Sequence, residues 1–137
     1  QCVYESFKGM YKRTVFLNRF SNSIFVVESR RLRNNYKINQ KKGIEFSKQY
    51  YTIRDYNSAI QSLDNFIADT PGTVFREEAL YYRWLSQYQI AINSIESRIN
   101  ERVTELERSF NNFLRYYPDT IFIEDLSDKI NTAKQLL

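Results

Sequence analysis

Residues 66–78 read Phe66-Ile67-Ala68-Asp69-Thr70-Pro71-Gly72-Thr73-Val74-Phe75-Arg76-Glu77-Glu78, and residues 113–125 read Phe113-Leu114-Arg115-Tyr116-Tyr117-Pro118-Asp119-Thr120-Ile121-Phe122-Ile123-Glu124-Asp125. Both hold an aromatic–aliphatic pair, then proline, a small or polar residue, threonine, a β-branched residue and phenylalanine, and an acid three positions on. A third, weaker copy runs Phe16-Leu17, Ser21-Asn22-Ser23-Ile24-Phe25 and Glu28, so the copies recur after 50 and then 47 residues. A recurrence of this kind marks a repeat architecture. Each copy reads as the end of one helix, a tight corner and the start of the next. Pro71 and Pro118 lack the N–H that a continuing helix needs and clash with the turn before them. Ser23, Thr73 and Thr120 can cap the helix that follows, with Glu28, Glu77, Glu78, Glu124 and Asp125 near its positive end. Phe25, Phe75 and Phe122, two residues past the cap, are placed to fold back on the preceding helix and fix the corner angle.

Between the corners the apolar period is helical. Tyr56, Ala59, Ile60, Leu63, Phe66 and Ile67 form one stripe at i, i+3, i+4, i+7, with Asp55 as its N-cap, and Val103, Leu106, Phe110, Phe113, Leu114 and Tyr117 form another. Ala79, Tyr82, Leu85 and Ile92, then Leu126, Ile130 and Ala133, continue the theme. From Ile24 to Arg54 only Gly43 interrupts, at about 1 kcal/mol against alanine, and the stretch reads as one long helix that can bend there. The expectation is an all-α chain of about six helices, antiparallel in pairs, forming one unit over residues 1–137 with three repeats and corners near 21–25, 71–75 and 118–122. Phe16, Phe25, Phe66, Pro71, Phe75, Phe113, Pro118 and Phe122 are the expected corner residues.

Composition narrows the function. Among 137 residues there are 3 Gly and 2 Pro, too few for the many turns of a β-sandwich or barrel. Without a histidine, the commonest general base and metal ligand is missing. One cysteine, Cys2, excludes an internal disulfide and a multi-thiolate zinc site. No catalytic, cofactor-binding or metal-ligating residue is expected. The carboxylates Glu77 and Glu78, or Glu105 and Glu107, point to different faces of a helix and read as solvated charges rather than acid–base pairs. No run approaches the roughly 18 apolar residues of a membrane span. No signal peptide is visible in residues 1–20, where Lys8, Lys12, Arg13 and Arg19 break the apolar pattern. Residues 1–54 carry a net charge of +9 and residues 55–137 a net charge of −5. Such asymmetry suits a nucleic acid, an anionic surface or an acidic partner. Arg30, Arg31, Arg33, Lys37, Lys41 and Lys42 are nevertheless spread around a helix, and no nucleic-acid-binding motif accompanies them, so solvation is the plainer account.

The corner also fits the tetratricopeptide repeat, a helix pair of 34 residues. Tyr50, Ala59, Leu63, Phe66 and Pro71 keep its spacing, and Ser47 stands where it wants a small residue. With periods of 50 and 47, the helices here are extended. Elongated pairs with this corner resemble BamD, the lipoprotein family of the outer-membrane β-barrel assembly machinery. Arg54-Asp55-Tyr56-Asn57-Ser58-Ala59-Ile60 is similar to the start of a repeat's second helix in that family. Phe75-Arg76-Glu77-Glu78-Ala79-Leu80-Tyr81-Tyr82 resembles its helix after the proline corner. Ala91-Ile92-Asn93-Ser94-Ile95-Glu96-Ser97, followed by Glu101-Arg102, resembles a connection in one of its branches. The likeness spans about residues 5–137 and corresponds to the C-terminal part of a longer protein.

The resemblance implies a non-catalytic scaffold without cofactor at the periplasmic face of the outer membrane of a Gram-negative bacterium. Its implied partners are the periplasmic domains of BamA, further assembly-machinery lipoproteins and, through N-terminal repeats outside this sequence, unfolded outer-membrane proteins. It implies no nucleic acid, and membrane contact only through a lipid anchor outside this sequence. Cys2 reads as a structural thiol rather than that anchor. Surface residues expected to meet a partner are Arg115, Tyr116, Asp119 and Lys129 around the third corner, and Arg54 and Asp55 at a loop. Trp84 reads as core before anchor, because tryptophan is usually buried. Two other readings stand beside this one: an unrelated tetratricopeptide adaptor, and a basic helical nucleic-acid-binding protein.

Overall fold

Pro71 and Pro118 end their helices where the sequence places them, and the two corners are near-copies in backbone geometry. In the computed structural model, which describes the backbone of residues 2–137 and the side chains of residues 22–137, five helices follow one another. These are α1 (Cys2–Thr52), α2 (Tyr56–Asp69), α3 (Arg76–Ile92), α4 (Glu96–Tyr116) and α5 (Ile123–Lys134), with no strand among the described residues. Thr70, after α2, sits at φ −125°, ψ 63°, and Tyr117, after α4, at φ −132°, ψ 70°. Phe75 and Phe122, before the next helices, sit at φ −91°, ψ 7° and φ −89°, ψ 4°. The Oγ1 atoms of Thr73 and Thr120 accept the backbone N–H groups of Phe75 (3.2 Å) and Phe122 (3.3 Å), inside the turn that leads into each helix. The N-cap positions themselves fall to Phe75 and Phe122, which have no side-chain cap, so the threonines brace the corner rather than cap the helix as expected. The one local difference follows from the side chain. Gly72 is left-handed at φ 75° and closes a Thr70–Thr73 turn with a 3.2 Å hydrogen bond, whereas Asp119, which carries a Cβ, does not adopt that conformation.

The first corner is not formed. Residues 21–25 lie inside α1, so the described residues hold five helices where about six were expected, with two corners of this kind. The reason is chemical: Ser21 stands where the other copies have proline. Serine and asparagine cost a helix only a few tenths of a kcal/mol each, so nothing forces a break. Ser23 caps nothing, and Phe25, expected to pack against a corner, is 72% exposed. The side chains of Cys2 and Phe16 lie outside the described residues.

The chain divides into two units, residues 1–39 and 40–137. In the first, described side chains such as Ile24, Phe25, Val27 and Leu32 are exposed, and so are the basic residues Arg30, Arg31, Arg33 and Lys37. The second unit holds the core. Ile44, Leu63, Phe66 and Ala79 form one buried cluster, joining the end of α1 to α2 and α3. Close approach there depends on small residues. A Cβ on Gly43 would lie 3.3 Å from the Phe66 ring, and the buried Ser47 hydroxyl meets that of Ser62 at 2.7 Å. Gly43 therefore makes room for a ring, and α1 continues through it.

A second cluster holds Trp84, Leu85, Val103, Leu106, Phe113 and Leu126 and their neighbours from α3, α4 and α5. Trp84 is 2% exposed, and its indole N–H donates to the Leu106 carbonyl at 3.1 Å, which satisfies its one polar atom inside the core. The connection between α3 and α4 is pinned by the residues noted in the sequence. The Ser94 hydroxyl donates to the Ile90 carbonyl at 2.5 Å, and Arg102 donates to Ser94 at 2.5 Å. At the α1–α2 joint Asp55 caps as expected, accepting the Ser58 N–H at 3.2 Å.

Phe66 (8% exposed) and Phe113 (4% exposed) hold the same place in the two corners. Replacing either with alanine should cost about 3–5 kcal/mol, a large part of the roughly 5–15 kcal/mol a domain has. Phe25→Ala should change stability by no more than about 0.5 kcal/mol. Urea unfolding followed by helical circular dichroism measures all three, and wild-type midpoints for both core variants would break the equivalence of the corners.

Candidate functional site

The third corner presents its polar residues because proline turns the chain outward there. Arg115, on the last turn of α4, is exposed and lies where the helix dipole favours a cation. Tyr116 is 67% exposed, and the Arg76 guanidinium, from the first turn of α3, lies 5.7 Å from its ring centre. Asp119 is exposed in the turn itself. These three expected residues therefore share one exposed corner.

The other three have structural work. Lys129 of α5 is ion-paired with Asp125 and is half-buried. Asp55 is the α2 cap, its second oxygen accepting the Ser58 hydroxyl at 2.7 Å. Arg54 is left-handed at φ 66° and turns the chain between α1 and α2.

What the repeat places at equivalent positions is a pair of ties between successive first helices. At the second corner, Thr73 donates to Gln40 Oε1 (3.0 Å) and Lys48 pairs with Glu78 (2.7 Å), joining α1 to α3. At the third corner, Thr120 donates to Glu77 Oε1 (2.6 Å) and the Tyr81 hydroxyl donates to Asp125 (2.6 Å), joining α3 to α5. Phe122 folds back as expected and stacks on Tyr81 with ring centres 3.9 Å apart. Aromatic contacts continue from Tyr81 to Tyr82 (5.4 Å) and on to Tyr51 (5.6 Å), and Lys48 lies 4.8 Å from the Tyr82 ring centre.

Glu77 and Glu78 are thus interface acids, which corrects the reading of them as solvated charges. Their partners are residues 43 positions ahead and 30 behind, which no local spacing reveals. The signal that could have found Glu78 is its register with Asp125, 47 residues on.

The electrostatics follow from these bonds. Burial alone would raise the Asp125 carboxyl, but hydrogen bonds from Lys129 and Tyr81 outweigh it and hold the group below its ordinary value. Burial, and then the bond to Asp125, push the Tyr81 hydroxyl well above its ordinary value. Burial would lower the Lys48 ammonium, yet its bonds to Glu78 and Glu45 hold it above its ordinary value.

Among the described residues there is no cluster of three or more histidine, cysteine or acidic side chains that could hold a metal ion, and no helix is long and apolar enough to cross a membrane. The helix pairs and corners make this a tetratricopeptide-like helix-pair protein, a class whose stacked pairs offer extended faces to other polypeptides. Residues 27–137 match the family model described as YfiO, outer membrane lipoprotein. The chain therefore belongs to this BamD-like family of outer membrane lipoproteins. A comparison with curated proteins gives no match.

Asp125 also sets an expectation for pH. A carboxyl held below its unfolded value adds stability that is fully present above that value, 3.8, and is lost as the pH falls through the folded value. Lys48 and Tyr81, held above their unfolded values of 10.5 and 10.0, add stability that is present below those values and lost as the pH rises. Asp125→Asn should therefore lower the urea midpoint near neutral pH, and its deficit against wild type should shrink as the pH drops below about 4. A deficit independent of pH would mean that the charge of Asp125 contributes nothing. Tyr81→Phe, which removes one donor, should cost about 0.5–1.5 kcal/mol.

Proposed function

We propose that this chain is a non-catalytic scaffold of the outer-membrane β-barrel assembly machinery, held at the periplasmic face of the outer membrane and binding the periplasmic domains of BamA. The observation that carries the reading is family membership over residues 27–137. The physical support is the third corner. There the polar Arg115 and Asp119 flank an exposed aromatic ring, and Ile121 beside them is 85% exposed. Arginine and tyrosine around exposed apolar surface are the composition of interface hot spots. The protein acts by bringing polypeptides together and breaks no covalent bond. Other assembly-machinery lipoproteins, and unfolded outer-membrane proteins delivered through further repeats, complete its set of partners.

Titration calorimetry of the whole chain against the isolated periplasmic domains of BamA tests this. Heat of binding without added ligand or metal is expected. Arg115→Glu should weaken the complex by about 1–3 kcal/mol, the range for a hydrogen bond to a charged group, with little change in melting temperature because Arg115 is exposed. A well-folded wild type that gives no heat would transfer the reading to an unrelated tetratricopeptide adaptor. Unchanged binding by Arg115→Glu would discard the site and keep the function.

A further inference from the structure

Along α1, Phe25, Leu32 and Tyr36 follow one another at i, i+7 and i+11 and so share one face of the helix, with Ser29 between them. The three large side chains are 72%, 59% and 54% exposed. Arg33 stands at the edge of this stripe and is exposed as well.

The repeat shows what such a stripe takes. Fifty residues on, Phe75, Ala79, Tyr82 and Ser86 hold the same register. There Ala79 and Ser86 are fully buried, and Phe75, Ala79 and Tyr82 pack with Leu63, Phe66 and Ile67 of α2. Beside that contact Arg83, the counterpart of Arg33, pairs with Asp64 of α2 at 2.5 Å. The apolar stripe and its flanking arginine thus both recur on α1, and among the described residues no helix lies on them.

We propose that this stripe is a docking seat for one acidic amphipathic helix of a partner polypeptide, bound as α3 binds α2. The helix lays a leucine and an aromatic side chain three positions on against Phe25, Leu32 and Tyr36, and an aspartate next to the leucine pairs with Arg33. Residues 2–20 do not supply it. A proline corner turns α2 back onto α3, whereas α1 runs unbroken through residues 21–25. Arg13 and Thr14 also stand at the register of Leu63 and Asp64, a cation for the apolar residue and no acid for the arginine. Charge points the same way. Arg30, Arg33 and Lys37 line one side at i, i+3 and i+7, and the nearby Glu28 is paired with Arg31. A phosphate backbone would meet these cations and leave Phe25, Leu32 and Tyr36 in water. An amphipathic helix in an apolar groove uses both. The seat shares no residue with the third corner.

The probe is a capped peptide with the sequence of residues 55–69, labelled at its N-terminus and titrated with the full chain by fluorescence anisotropy. Saturable binding is expected, and the Asp64→Asn peptide should bind at least about fivefold more weakly, as loss of a charge-assisted pair requires. Arg33→Gln in the chain should erase the difference between the peptides, and Leu32→Glu should abolish binding. Because Leu32 is exposed, Leu32→Glu should keep the wild-type melting temperature. Arg108→Gln, which alters an exposed arginine paired with Glu105, should leave binding and preference intact. No saturable binding, equal affinity for the two peptides, or binding undiminished by Leu32→Glu would each overturn the seat. So would a wild-type dimer that Leu32→Glu disperses, which gives the stripe to a second copy. Sedimentation of wild type, but not of Leu32→Glu, with phosphatidylglycerol vesicles would overturn it in favour of lipid. None of these outcomes bears on BamA binding by the third corner, which the calorimetry decides separately.

Discussion

A threonine hydroxyl at each proline corner does two things at once, and the packing of residues 40–137 hangs on it. Its oxygen accepts the N–H of the phenylalanine two residues on, and so sets where the next helix starts. Its proton goes to a side-chain oxygen on the preceding first helix, Gln40 for Thr73 and Glu77 for Thr120. Local geometry and inter-repeat docking therefore share one atom. Both threonines are buried, at 8% and 5% exposure, so the hydroxyl must satisfy donor and acceptor roles inside the protein or leave a buried polar group unpaired. A helix that starts elsewhere loses the tie, and a neighbour that shifts loses the bond that braces the turn.

The acids at the third position of each new helix reinforce the same constraint. Glu78 takes Lys48 and Asp125 takes Tyr81, in each case from the helix two before it in the chain, α1 for α3 and α3 for α5. The partner differs, ammonium in one case and phenol in the other, while the position and direction of the tie are retained. A repeat can thus keep its geometry while its chemistry drifts. The consequence for function is positional. With these ties on one side of α3, its Arg76, Leu80 and Trp84 meet α4 on another, where the exposed Tyr116 lies. The residues that hold the pairs together and those available to a partner occupy different faces of one helix.

Much of this was legible in the chain as written. The two proline corners, the apolar stripes of α2 and α4, the Asp55 cap and the buried Trp84 all follow from local chemistry, because a missing N–H, a 3.6-residue period or a capping carboxylate acts over a few residues. The same local chemistry explains the failure at residues 21–25. The copy there kept the phenylalanine and the acid but not the proline, and only proline forbids a helix to continue. Similarity of pattern without the one residue that enforces the break was not enough.

The sequence by itself determined an all-helical protein, the place of its two working corners, the absence of histidine chemistry and the likeness that family membership bears out. Tertiary structure decided what each polar residue does. Glu77 and Glu78, expected in solvent, tie helices together across 43 and 30 positions. Arg76 enters the sequence only as part of a stretch that carries the resemblance, yet packing sets its guanidinium against the exposed Tyr116 ring, 40 residues away. The physical reason is range. Helix and corner are set by neighbours within about one turn, whereas the fate of a charge depends on which residue, 19 to 44 positions away, the packing brings within 3 Å of it.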